Sequence, residues 1–288
     1  MAMVLLVDEF LLSMRARRLS NNTELDYKRS LQRFTEFVGT GADPNSITPR
    51  QVELFLTSLN LGAKSIQNVY VGLSAFWTWC VANGHATTHI IHKIPRPKAS
   101  APPVIPFTES EVRRLLDNLG RRPMLRACVY LLLDTGARAS ELRDLDIGDV
   151  DLRKGEIIIR VGKGGKGRQV PFSTRTGQAV AHYLATRADR NNPDAPLLIA
   201  LTGARLDRRR LTNQLQTLGK RAGVPNVHPH RFRHTCAIQL LRGGCDVFSL
   251  QRILGHESLT TTRRYLAIAQ IDVEAAHRKA SPVDTWRL

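Results

Sequence analysis

Between His230 and Tyr265 the chain gathers a phenol, several imidazoles and an arginine suited to phosphate within 36 positions. His230-Arg231-Phe232-Arg233-His234 is followed by Leu254-Gly255-His256, and nine residues beyond His256 stands Tyr265. A tyrosine hydroxyl, with an ordinary pKa of about 10, is mostly protonated at neutral pH. It becomes a nucleophile where cations and a base lower the cost of losing its proton. Metal-free transfer of a phosphodiester needs that nucleophile, cations on the non-bridging oxygens, an acid for the leaving 5′ oxygen, and close placement of all three.

Two upstream segments offer what this cluster lacks. Arg138 follows a glycine in Thr135-Gly136-Ala137-Arg138-Ala139-Ser140-Glu141-Leu142. Its planar fork can hold two phosphate oxygens, where lysine offers a point charge; the plainer reading is a surface arginine paired with Glu141 or Asp144. Lys163 lies in Gly162-Lys163-Gly164-Gly165-Lys166-Gly167, a glycine-rich turn able to enter a groove and deliver a proton, with Lys166 as a rival. That run lacks P-loop spacing and the terminal Lys-Ser/Thr. His230 and Arg233, three apart, share a helix face. His228, His230 and His234 also invite a zinc reading, against which stand the cations Arg231 and Arg233. His234 reads as a packing or hydrogen-bonding residue, and Arg231 as a cation facing DNA or solvent.

The elements that must position these residues fall into two groups. Residues 1–95 form a small helical unit of four helices, with Thr48-Pro49-Arg50-Gln51 a capping box and Val52, Phe55, Leu56 and Leu59 a buried stripe. Residues 94–106 contain five prolines, two cations and no acid, which predicts an extended linker at 96–106. Residues 107–288 open on a second capping box, Thr108 to Glu111, with Val112, Leu115, Leu116 and Leu119 at helical spacing. Met124–Asp134 reads as an apolar helix. The clear β signal is a hairpin, 156–161 with 168–172 across the glycine-rich turn. Helices are predicted near 174–188, 207–222, 230–243, 246–254 and 258–276. The pattern is mainly α with a small antiparallel β-sheet.

Charge narrows the partner. The 288 residues carry a net +17, and it is uneven: 9 Lys/Arg against 7 Asp/Glu in residues 1–95, but 31 against 18 in residues 107–288. Such an excess attracts a polyanion. The four cysteines, Cys80, Cys128, Cys236 and Cys245, form no CxxC pair, which favours reduced thiols in a cytosol. The apolar opening Met1–Val7 meets Asp8-Glu9 too soon for a membrane span.

Taken together, the Arg138 box, the Gly162-Lys163-Gly164 hairpin, His230-x-x-Arg233-His234, Leu254-Gly255-His256 and Tyr265 resemble the tyrosine recombinase (phage integrase) family, Xer-like bacterial members above all. The resemblance spans the whole chain and departs at Ala137, where the family commonly has leucine. It implies an N-terminal helical core-binding (SAM-like) domain and a C-terminal α+β catalytic domain. It implies that Tyr265 attacks the scissile phosphate to form a 3′-phosphotyrosyl link, with Arg138 and Arg233 on the non-bridging oxygens. Lys163 would be the acid to the 5′ oxygen, His230 an acid/base partner of the tyrosine, and His256 a donor to the phosphate. No cofactor, metal or ATP is implied, and strand exchange would pass through a Holliday junction. The implied partner is double-stranded DNA with inverted half-sites, bound by a homo-tetramer or a hetero-tetramer with a related recombinase, in the cytoplasm at the nucleoid and with no membrane partner. The apolar face of Leu266 to Arg278 (Leu266, Ile268, Ile271, Val273, Ala276) would then pack in trans on a neighbouring protomer, with packing in cis on its own core as the alternative. Two rival functions use the same scaffold. One is a catalytically idle DNA-binding protein, which has no use for Tyr265; the other is a nuclease or topoisomerase that relaxes DNA as a monomer.

Overall fold

The computed structural model describes residues 2–99, 105–160, 167–256, 262, 265 and 266. The chain divides into two compact units, Met1–Pro103 and Val104–Leu288. The N-terminal unit is built of α1 (Met3–Ala16), α2 (Asn21–Val38), α3 (Pro49–Ser58) and α4 (Ala63–Ala82), with short 3₁₀ turns at Pro44–Ser46 and Ile90–Lys93. The starts follow the sequence signals. Ser20 caps α2 by accepting the Thr23 amide, and Thr48 and Gln51 exchange the two hydrogen bonds of a capping box on α3. The helices converge on Phe34, Phe55, Phe76 and Trp77, all at most 2% exposed. Phe34 meets Phe55 at 5.0 Å and Trp77 at 5.7 Å, edge to face, the arrangement favoured by ring quadrupoles. The start of the proline-rich stretch is not loose: the Gln67 amide donates to the Pro97 carbonyl at 3.0 Å.

The C-terminal unit is organised around α6 (Pro123–Thr135), against which α8 (Thr174–Ala185) and α10 (Pro229–Arg242) pack. Leu125, Cys128, Val129, Leu131 and Leu132 line its buried side. Around this axis stand α5 (Glu109–Asp117), α7 (Ala139–Asp144), α9 (Arg208–Ala222) and α11 (Val247–Leu254). The sheet has the expected hairpin, β2 (Glu156–Ile159) and β3 (Arg168–Pro171), with Ile157 opposite Val170. A two-residue strand β1 (Val150–Asp151) pairs with β2, so the sheet has one more strand than the hairpin predicted. Ile157 and Ile159 are buried while Ile158 between them is exposed, the period of two that puts one sheet face on the core. Val161–Lys166 and most of the predicted 258–276 helix lie outside the described residues. Of that helix Thr262, Tyr265 and Leu266 are described, and all three are helical.

A glycine at the end of α6 decides where the next segment goes. Gly136 is the left-handed cap (φ +60°), and a Cβ there would stand 2.7 Å from Leu254 Cδ2 on α11. The chain turns against α11, and Arg138 becomes the first residue before α7.

Candidate active site

Arg233 sits one turn into α10, 2% exposed, among the largest fully buried side chains. Burial of a guanidinium demands partners for its donors. It gives one N–H to the Gly136 carbonyl and another to the Leu254 carbonyl, both at 2.7 Å. Those carbonyls are orphan ends of α6 and α11, so one side chain satisfies two helix termini. Both partners are neutral, so they fix the guanidinium without cancelling its charge. Burial first, and Arg138 next, push its pKa down to about 10, which leaves it charged at neutral pH.

Arg138 approaches from α7. Its Nη1 donates to Glu141 Oε1 at 2.7 Å, its Nη2 to the Gly255 carbonyl at 3.1 Å, and its main-chain N–H to Glu141 Oε2 at 2.7 Å. The pairing with Glu141 that marks a plain surface arginine is therefore present. Yet Glu141 is not a surface acid: its side chain is 14% exposed and also receives Arg168 of β3, at 3.0 and 2.8 Å. Burial would raise the Glu141 pKa, but hydrogen bonds from Arg168 and from Arg138 bring it down to about 2. Two guanidiniums therefore share one carboxylate while Arg233 stands in the same field, leaving a surplus of positive charge where an anion would sit.

The imidazoles and the phenol complete the cluster. His256 follows the left-handed Gly255 cap of α11 and is 9% exposed, with Nδ1 2.9 Å from the Thr262 hydroxyl. Burial, then the charges of Arg233, Arg138 and Arg168, lower its pKa to about 4, so the ring is neutral at pH 7. A Thr262 hydroxyl that donates to Nδ1 would leave the single proton on Nε2 and make the ring a donor there. Tyr265 is 3% exposed, packed with Ala237, Ile238, Leu241, Leu250 and Leu254. Its hydroxyl lies 2.8 Å from His234 Nδ1, and its ring is parallel to that of His256 with centroids 6.1 Å apart. The exposed His230 ring meets His234 edge to face at 4.1 Å.

Of the six residues singled out in the sequence, Arg138, His230, Arg233, His256 and Tyr265 come together here. Lys163 lies outside the described residues; the strands that carry its turn, β2 and β3, end beside the cluster through Arg168. Three further members escaped the sequence reading. His234 was read as a packing or hydrogen-bonding residue, and it does hydrogen-bond, but to the phenol oxygen itself, a partner the sequence reading did not name; its spacing of four from His230 was the available signal. Glu141 and Arg168 come from an α7 residue and a strand residue 27 positions apart, and no local pattern joins them. Arg231 needs a correction. It faces neither DNA nor solvent but is 7% exposed, paired with both oxygens of Glu111 at 2.9 Å and stacked 4.0 Å over the Phe107 ring. It also donates to the Ile105, Pro106 and Pro225 carbonyls, and so ties the segment before α5 to the helix that carries Arg233. The zinc alternative loses its shared geometry as well, since the His228 ring caps α10 by accepting the Arg231 amide.

The phage integrase family model matches residues 106–270, and its N-terminal SAM-like domain matches residues 6–84. The chain belongs to the phage integrase family. A tyrosine recombinase XerC from Oceanobacillus iheyensis is 31% identical over 273 residues, 89% of this chain and 88% of the relative. The Tn1549 transposon integrase in complex with transposon right end DNA superposes with a TM-score of 0.80 at 19% identity, covering 98% of this chain and 100% of that one. A lambda integrase tetramer bound to a Holliday junction gives 0.75 at 17%, covering 90% and 79%. This tyrosine recombinase is a site-specific DNA breaking-and-rejoining enzyme, mostly helical with a small antiparallel sheet. No helix among its described residues is long and apolar enough to cross a membrane.

Proposed function

We propose that Tyr265 is the nucleophile of this recombinase, attacking the scissile phosphate to leave a 3′-phosphotyrosyl link and a free 5′-hydroxyl. The observation that carries this is the phenol's position: its oxygen is 2.8 Å from a ring nitrogen, inside the field of the buried Arg233. In the step, the phenol O–H breaks toward His234 Nδ1 as the O–P bond forms. The P–O5′ bond breaks, and the leaving oxygen takes a proton from Lys163, whose part rests on the family resemblance. Arg138 and Arg233 hold the non-bridging oxygens and His256 donates to one of them, which stabilises charge that grows in the transition state. His230, on the same helix face, is the second candidate acceptor of the phenol proton, the part the family resemblance gives it. The phosphotyrosyl link keeps the bond energy, so a second 5′-hydroxyl closes the exchange without ATP or metal.

The His234 ring at the phenol oxygen and the surplus of guanidinium charge favour this over mere DNA binding. The partner in this reading is duplex DNA with inverted half-sites, held by four protomers, of this chain alone or with a related recombinase, in the cytoplasm at the nucleoid. Residues 1–95 grip the duplex, 96–106 span, and 107–288 cut, with the segment after Leu266 packing on a neighbour. A nicked suicide substrate tests the chemistry: the wild type traps a covalent adduct and Tyr265→Phe traps none. An adduct that persists in Tyr265→Phe refutes the nucleophile.

A further inference from the structure

A carboxylate bonded to a phosphate-binding arginine poses a problem, because it neutralises the charge that binding needs. Glu141 does this to Arg138, accepting both its Nη1 and its main-chain N–H. The molecule places a second guanidinium on the same carboxylate. Arg168, the first residue of β3, meets Glu141 with its fork, Nη1 to Oε1 and Nη2 to Oε2, while its Nε donates to the Ile253 carbonyl at 2.9 Å. Its side chain is 14% exposed.

We infer that Arg168 is a positioning residue: it satisfies Glu141 so that Arg138 keeps its positive charge for the scissile phosphate, and it registers β3 against the turn that carries His256. This rests on Arg138 acting as a phosphate clamp. A fork facing a carboxylate is the geometry in which an arginine satisfies an acid most completely. The second half of the inference comes from Gly255. A Cβ there would lie 2.6 Å from Arg168 Nη1 and 2.8 Å from its Cζ, so the guanidinium lies flat on the turn between α11 and His256. Arg168 thus joins two segments of the site to β3: α7 through Glu141, and the end of α11 through the Ile253 carbonyl and the Gly255 cap. It also begins the strand that leaves the Lys163 turn. A shift of β3 therefore moves the support of Arg138 and the approach to His256 together.

The test is a charge-balance cycle on the full-length protein, read as the rate of covalent adduct formation on a suicide duplex. Arg168→Gln is expected to slow cleavage roughly 100-fold, the scale on which a preorganised phosphate donor acts. Adding Glu141→Gln removes the unbalanced acid, and the double variant is expected to regain about tenfold over Arg168→Gln alone, a coupling between neighbours. A double variant no faster than Arg168→Gln overturns the inference. On a duplex with a neutral methylphosphonate at the scissile position, the Arg168→Gln deficit is expected to shrink; a deficit of unchanged size also overturns it. Should Arg168→Gln not fold, Arg168→Lys carries the test: it keeps the charge while losing the fork, and is expected to lose less than roughly 100-fold. A folded Arg168→Lys that loses 100-fold or more refutes the charge argument. Arg138→Ala separates the two readings. If it cleaves normally, the clamp falls and this inference falls with it; if it is inactive while the double variant shows no recovery, this inference alone fails.

Discussion

In the N-terminal unit the deepest large side chains are rings, Phe34, Phe55, Phe76 and Trp77; in the C-terminal unit one of the deepest is the guanidinium of Arg233. Rings are buried for area, each contributing about 2–3 kcal/mol when taken from water, and their partners are interchangeable apolar surfaces. A buried guanidinium contributes little net stability and needs specific acceptors. Here these are two helix-terminal carbonyls, from Gly136 and Leu254, brought from segments more than 100 residues apart. One unit is held by volume, the other by donor geometry at its site. The contrast shows where tolerance ends: a ring pocket accepts another apolar shape at modest cost, while a charge socket accepts almost nothing else.

Substitutions sharpen this contrast, the largest effect first. Arg233→Ala is expected to slow covalent adduct formation by about 10³-fold or more, the scale of losing a preorganised donor, and even Arg233→Lys should fail to restore it, because a point charge cannot reach both carbonyls. Comparable rates for Arg233→Lys and wild type would erase the distinction between the units. Trp77→Ala should lower unfolding free energy by about 3–5 kcal/mol in urea titration, while Trp77→Phe costs far less; equal costs would mean that its packing is as exacting as the arginine socket. Gly136→Ala combines a left-handed φ with a 2.7 Å approach to Leu254 and is expected to cost about 1–3 kcal/mol, together with cleavage rate, since it displaces the Gly136 carbonyl from Arg233.

Two smaller effects are read in pH. The Glu141 carboxyl titrates near 2 in the folded protein against an ordinary 4.5, so its contribution is full above pH 4.5 and is lost as the pH falls toward 2. Glu141→Gln should flatten that part of an acid-unfolding profile. His256 is lowered from 6.5 to about 4, so the unfolded chain takes up its proton first, and stability declines from pH 6.5 down to about 4. His256→Phe should remove that slope; an unchanged slope would mean that the ring is not held neutral.

Much of the helical framework was legible in local signals. The capping boxes at Thr48 and Thr108 and the hairpin of 156–161 with 168–172 each depend on residues a few positions apart, and each appears where the sequence places it. The extra strand Val150–Asp151 was not legible, because two residues carry no pattern and its pairing with β2 is what makes it a strand. In the site, residue type pointed to Arg138, Arg233, His256 and Tyr265 because their chemistry is unusual in company. His234, Glu141 and Arg168 were passed over because each is ordinary alone. Arg231 was misread outward because two arginines flanking one phenylalanine look alike in sequence, although they lie on different faces of α10.

What the sequence alone determined is the inventory: a basic two-part chain, mostly helical, with a phenol, imidazoles and arginines in the order of the phage integrase family. Those properties are local or compositional, set by side-chain chemistry and by periods of two and 3.6. What the tertiary structure decided is which acceptors meet each arginine. Arg138, Arg168, Arg231 and Arg233 share one chemistry. Only the acceptors that the fold brings to each, a shared carboxylate for the first two, Glu111 for Arg231 and two neutral carbonyls for Arg233, determine how much charge remains for DNA.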